Sequence, residues 1–311
     1  MRRVLILLLL VPLLISCGMD PNLNGGNDTV YEDSADWIGR LPSGTLIRNI
    51  TMPGTHDSCA NYDYLGLSSI SSTQDLKLMD QLEAGVRCLD IRITEKDGVY
   101  GVYHGPVYMK MSLDDVAKVC KDFLGKHPTE FILMFVQYEN GHYRLGTGAI
   151  AALRDSDTDL FYQGEDLLGV TLSEVAGTII VAESYWHRYD EPALVSEDDF
   201  WVPDDEWGYD EEEFWETEDP QIILDNTLTL MEMVRTNNRN RTDYPASYST
   251  SSYFSGQFGL PNYRIVSSFV NPRIQAEIGK YSGSGTYFGI LRVDHITRDL
   301  AHAIYSCNSL L

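Results

Sequence analysis

The sequence predicts an α/β fold: a closed, distorted (β/α)8 TIM-like barrel of mostly parallel strands in a single domain. Three observations carry the prediction. Short apolar runs alternate with amphipathic stretches along most of the chain. Of the 311 residues, 43% are hydrophobic, enough for one large core. Several apolar runs end in His, Asp or Arg, and polar chemistry at the carboxyl ends of strands is the habit of barrel enzymes.

The elements follow in chain order. Residues 1–16 open Met1-Arg2-Arg3 and continue as an apolar run through Ile15, an export-signal pattern too short and too early for a transmembrane span. The run ends Leu14-Ile15-Ser16-Cys17, which resembles the bacterial lipoprotein cleavage box, so Cys17 is expected to carry lipid and become the mature N-terminus. Residues 17–35, rich in Asn, Gly and Asp, read as a lipidated tether, and 36–311 as the catalytic barrel. Strands are expected over 46–52, 86–93, 131–137, 178–182, 264–270 and 287–293. Helices are expected over 75–84, 113–124 with Ser112 as its cap, 222–235, 272–278 and 297–306. Residues 189–220 break the alternation, with acidic runs such as Asp210-Glu211-Glu212-Glu213 set among Phe200, Trp201, Trp207, Tyr209, Phe214 and Trp215. This reads as an excursion over the barrel whose aromatics either line a substrate groove or pack on the barrel top.

Lys and Arg number 23 against 46 Asp and Glu, a formal charge of −23 that excludes nucleic acid as a natural partner. The same charge draws nothing from an anionic bilayer, so membrane contact falls to the lipid anchor or to inserted aromatics. The expected location is the bacterial cell envelope, lipid-anchored, periplasmic or surface-exposed. Cys59, Cys88, Cys120 and Cys307 lack metal-ligand spacing and read as buried and reduced, although export leaves disulfides open.

Chemistry concentrates at strand ends. Pro53-Gly54-Thr55-His56-Asp57-Ser58 follows the first apolar run, and Leu89-Asp90-Ile91-Arg92 puts an Asp and an Arg on one side of a strand by period-two alternation. Tyr103-His104-Gly105-Pro106 adds a second His in a turn, and Val293-Asp294-His295 ends the last strand. Two imidazoles oriented by carboxylates divide acid and base duties, and a guanidinium neutralises a phosphate oxygen, which is the toolkit of phosphodiester cleavage by an internal hydroxyl.

The segments Ile50-Thr51-Met52-Pro53-Gly54-Thr55-His56-Asp57-Ser58, Gly85-Val86-Arg87-Cys88-Leu89-Asp90-Ile91-Arg92 and His104-Gly105-Pro106-Val107-Tyr108, with the later Ser267 to Pro272 and Asp294, resemble the bacterial phosphatidylinositol-specific phospholipases C. The resemblance runs over residues 40–306. It implies His56 as general base oriented by Asp294, His104 as general acid supported by Asp57, Asp90 holding that cluster, and Arg92 on a non-bridging phosphate oxygen. It implies an inositol phospholipid substrate, a 1,2-cyclic inositol phosphate product, and no metal or cofactor, because Arg92 stands where metal-dependent relatives bind calcium. Glu139 and Glu183 are the spare carboxylates that bear on that point. The head-group positions depart from the family: Gln137 replaces a Lys, and Ser184 beside Glu183 replaces an Arg. Tyr209, Trp215 and Trp207 are candidates for the aromatic that stacks on the ring. Two other readings stay open. One is a metal-dependent glycerophosphodiester phosphodiesterase, which chelation distinguishes; the other is a non-catalytic surface lipoprotein that binds glycans or lipids.

Overall fold

The computed structural model describes residues 29–62, 71–139, 146–164, 167–183, 195, 200, 216–217, 219–237, 245–255 and 261–309. Strands run β1 (Met52–Thr55), β2 (Cys88–Lys96), β3 (Val99–His104), β4 (Val107–Ser112), β5 (Ile132–Tyr138), β6 (Ile179–Glu183), β7 (Glu216–Thr217), β8 (Ser247–Ser249), β9 (Tyr253–Ser255), β10 (Pro261–Asn262) and β11 (Ile290–Val293). Helices run α1 (Leu78–Glu83), α2 (Leu113–Leu124), α3 (Gly146–Ser156), α4 (Leu172–Val175), α5 (Pro220–Asn237), α6 (Tyr263–Ile278) and α7 (Arg298–Tyr305).

Parallel pairing joins the strands in the order β6-β5-β2-β1-β11-β8, the α/β, mostly parallel architecture that the sequence predicts. The expected ring closure is the difference: among the described residues no register joins β6 to β8. The β3–β4 hairpin grows antiparallel from the far half of β2. Asp97-Gly98 turns β2 into β3, with both residues at positive φ. A small sheet, β10-β9-β7, stands apart.

Strand parity sorts the core. Cys88, Leu133, Phe135, Ile180, Ala182, Met52 and Ile290 face the barrel interior, where Trp37 and Ile38 of the N-terminal segment join them. Leu89, Ile91, Met134, Val136, Val181, Leu291 and Val293 face the surrounding helices. The inward set turns polar toward the carboxyl ends, because Asp90, Arg92, Gln137, His56 and Asp294 continue the same parity. The opposite end is sealed by a fully buried pair, in which Glu130 accepts from Arg87 Nε at 2.8 Å and from the Gly39 amide at 2.8 Å.

Some expected elements differ. Residues 264–270 form the first half of α6, not a strand. Asn262 caps that helix by accepting from the Ile265 amide, and Val266, Val270, Ile274 and Ile278 recur every four residues on its buried face. Pro272 sits inside the helix rather than at its start. The first strand lies over Pro53 and Gly54 instead of 46–52, where Ile47–Asn49 is a 3-10 turn. Residues 31–35 of the expected tether pack on the fold: Tyr31 stacks on His302 at 3.7 Å, and the Ser34 hydroxyl donates to the Glu83 carbonyl. Ser112 caps α2 in a reciprocal box with Asp115, as expected. Of 189–220, Val195 and Phe200 are buried, and the expected aromatic rim otherwise lies outside the described residues. Among the described residues no helix is long and apolar enough to cross a membrane. The four cysteines are free and buried; burial pushes the thiols of Cys59, Cys88 and Cys307 up to about 12.

Candidate active site

β1 and β11 pair in register, Thr55 opposite Val293, so the next residue on each strand, His56 and Asp294, meets its counterpart. Asp294 Oδ1 accepts from His56 Nδ1 at 2.9 Å, and its Oδ2 accepts from the Ser251 hydroxyl at 2.6 Å. Asp57 and His295 then turn each chain away at positive φ, 43° and 47°, a conformation uncommon for residues other than glycine. One strand over, Asp90 and Arg92 face the same mouth, and Arg92 lies opposite Gln137 on β5.

Arg92 is the hub. Its Nε lies 3.2 Å from Asp57 Oδ1, Nη2 3.3 Å from Asp90 Oδ2, and Nη1 3.8 Å from Glu139 Oε2. Turned with its oxygen inward, the Gln137 amide accepts from Arg92 Nε at 2.7 Å. Arg92 Nη2 also donates to His56 Nε2 at 2.6 Å. A guanidinium has no acceptor, so His56 Nε2 carries a lone pair and its proton sits on Nδ1, facing Asp294. That is the tautomer of a base in waiting.

The second histidine is paired differently. His104 Nδ1 donates to the Ser71 carbonyl at 3.2 Å, while Nε2 lies 3.3 Å from the Tyr263 hydroxyl and 3.5 Å from Asp57 Oδ2. Burial pushes the Asp57 carboxyl up to about 7 against the opposing pull of Arg92 and His56. Burial also lowers His104, and Arg92 lowers it further. At Asp90 burial raises and Arg92 lowers, with the downward pull winning. Asp57 and His104, 3.5 Å apart, form one dyad in which burial favours a proton on the carboxyl and disfavours one on the imidazole.

The structure thus brings together His56, Asp57, Asp90, Arg92, His104, Asp294 and Gln137. Gln137, expected at the head group, faces Arg92. Glu139 points inward, and its Oε1 accepts from the Gly105 amide at 2.5 Å, tying the His104 turn to β5. Glu183 ends β6 at the same sheet edge. Ser184, Tyr209, Trp215 and Cys17 lie outside the described residues.

Sequence reasoning missed the support. Residues 71–74, Ser-Ser-Thr-Gln, are all polar and all buried. Gln74 Nε2 donates to the carbonyls of His56 at 2.9 Å and Val293 at 2.8 Å, and the Thr73 hydroxyl donates to the Asp57 carbonyl at 3.0 Å. This strap links both strand ends to His104, through Ser71. Outside it, Asp75 holds Arg264 in a two-point ion pair beside Tyr263. A buried polar run with no period was the available signal.

Residues 51–141, from β1 to just past Glu139, match the family described as phosphatidylinositol-specific phospholipase C, X domain. The X domain holds His56, Asp57, Asp90, Arg92, His104 and Gln137, while Asp294 and Tyr263 lie beyond it. The chain is similar to a 1-phosphatidylinositol phosphodiesterase of Listeria monocytogenes, 32% identical over 146 residues that cover 45% of each protein. It is also similar to one of Staphylococcus aureus, 27% identical over 164 residues covering 50% of this chain and 52% of the relative. The matched stretch thus spans about half the length of these curated relatives. Solved phosphatidylinositol-specific phospholipases C from Listeria monocytogenes (TM-score 0.71, 20% identity, 88% of this chain and 98% of that one) and Staphylococcus aureus (0.72, 21%, 91% and 100%) share the fold around the X domain.

Proposed function

We propose that this chain is a phosphatidylinositol-specific phospholipase C that works without a metal. It would cleave the glycerol–phosphate bond of phosphatidylinositol or a related inositol lipid, giving diacylglycerol and a 1,2-cyclic inositol phosphate. The observation that carries this reading is the line Asp294–His56–Arg92 facing the Asp57–His104 dyad across one mouth. His56 Nε2 takes the proton of the inositol 2-hydroxyl while Asp294 stabilises the imidazolium formed. The freed oxygen attacks phosphorus, and Arg92 neutralises a non-bridging oxygen. The dyad delivers its proton to the departing glycerol oxygen. Arg92, gripped by three carboxylates, fills the cationic position that a metal-dependent phosphodiesterase gives to its ion, and a pure binding protein has no use for the base and the dyad. The relatives' printed activity supports the same reading.

We also propose an envelope location with Cys17 as lipid anchor, supported by the leader pattern of residues 1–17. The deciding experiment is phosphorus NMR of the products from candidate inositol phospholipids, with and without chelator. A cyclic phosphate signal in both arms is expected; loss on chelation with recovery by calcium alone overturns the metal-free mechanism.

A further inference from the structure

Arg292 lies on β11 with inward parity, two residues before Asp294, one layer below the reacting groups. Its stem fits because Gly54 opposite has no side chain: a Cβ there would stand 3.0 Å from Arg292 Cγ and 3.0 Å from Cys88 Cβ. The guanidinium reaches across the barrel to lie over the Phe135 ring, 5.0 Å from its centroid. Arg87 and Arg92 are both saturated with partners. Arg292, by contrast, makes no side-chain hydrogen bond or ion pair among the described residues, and its Nε is buried without a partner. The residue as a whole keeps partial solvent exposure, although its Nε is buried. Its charge is felt by the Asp90 carboxyl, which it lowers.

An inward-facing guanidinium without a counter-ion calls for an anion. Resting on the proposed function, orientation is set by the chemistry: the phosphodiester sits at His56 and Arg92, the diacylglycerol stays outside, and the ring enters first. Its far edge therefore points toward Arg292. We propose that Arg292 is a head-group-binding residue that recognises an anionic substituent, a phosphate monoester, on the far side of the inositol ring. Arg92 is committed to Asp57, Asp90 and Glu139, so Arg292 supplies the one uncommitted positive charge among the described residues of this mouth.

The test is binding, measured by calorimetry with the full chain, using inositol 1-phosphate and inositol 1,4-bisphosphate. The wild type is expected to prefer the bisphosphate by about ten-fold or more, the scale of one charge-assisted hydrogen bond. Arg292→Met, which keeps the contact with Phe135, should reduce that preference to within two-fold, and Arg292→Lys should retain part of it. A preference that survives in Arg292→Met, or a wild type with none, overturns the proposal. Because no turnover is needed, a wild type that cleaves no phosphatidylinositol but shows the Arg292-dependent preference would defeat the proposed reaction and leave this subsite standing.

Discussion

Asp57→Asn is the most discriminating perturbation of this site, because it keeps the shape of the side chain and removes its proton chemistry. Burial, opposed by Arg92 and His56, lifts the Asp57 carboxyl from its ordinary 3.8 to about 7. A carboxyl held more tightly protonated in the folded chain contributes stability that is complete below pH 4 and lost as pH rises through 7. Each tenfold in the protonation constant is about 1.4 kcal/mol, so the full effect is at most on the order of 4 kcal/mol. Asp90 is shifted the other way, and its contribution is lost below pH 4, outside this window. The stability advantage of the wild type over Asp57→Asn should therefore shrink by up to about 4 kcal/mol between pH 4 and pH 8, measured by urea unfolding.

Turnover should follow the same proton. Wild-type kcat is expected to decline above pH 7, close to tenfold per pH unit, as the dyad empties. The variant should lose that limb and run about 10²–10⁴-fold slower at its best pH. Parallel stability curves for the two proteins, or a variant that keeps the limb near pH 7, would refute the dyad assignment.

His56→Ala and His104→Ala should each lower turnover of phosphatidylinositol by about 10²–10⁴-fold with folding retained, and a His104→Ala enzyme at near-normal rate removes the acid assignment. Arg92→Met should abolish most turnover and, by leaving Asp57, Asp90 and Glu139 uncompensated, cost about 3–5 kcal/mol in urea unfolding at pH 8, less at pH 5; equal loss at both pH values contradicts the electrostatic origin. Cys17→Ser should move the exported chain from detergent to aqueous phase, and unchanged partitioning rules out the anchor.

The cluster of His56, Asp57, Asp90 and Arg92 was legible because it is written locally. His56 and Asp57 follow a short apolar run, and Asp90 and Arg92 interrupt one at period two. The sheet places such residues without help from distant sequence. Gln137 faces the same mouth, but its Arg92 partner was not foreseen, since a neutral amide gives no hint of which neighbour it turns to. Tyr263 was hidden by reading Ile265, Val266 and Val270 as strand. Those residues suit either period, and Asn262, the cap that decides for helix, acts through a single hydrogen bond. The strap of Ser71, Thr73 and Gln74 was illegible for a different reason. Its bonds run to His56, Val293 and His104, and Gln74 alone spans 219 positions to Val293, a separation that no local pattern encodes.

The Arg92–His56 contact also couples binding to base activation in the proposed reaction. Arg92 donates to His56 Nε2, the atom that accepts the hydroxyl proton in the proposed reaction, so the base is blocked by its own neighbour. Only a group that competes for the guanidinium can release it, and a phosphodiester anion does so better than a neutral imidazole. The carboxylates of Asp57, Asp90 and Glu139 keep Arg92 nearby during the exchange, so a small rotation suffices. A sugar or polyol without phosphate would leave His56 capped. Under the proposed reaction the substrate's phosphate is thus the signal that uncovers the base, which ties selectivity for a phosphodiester to the chemical step itself.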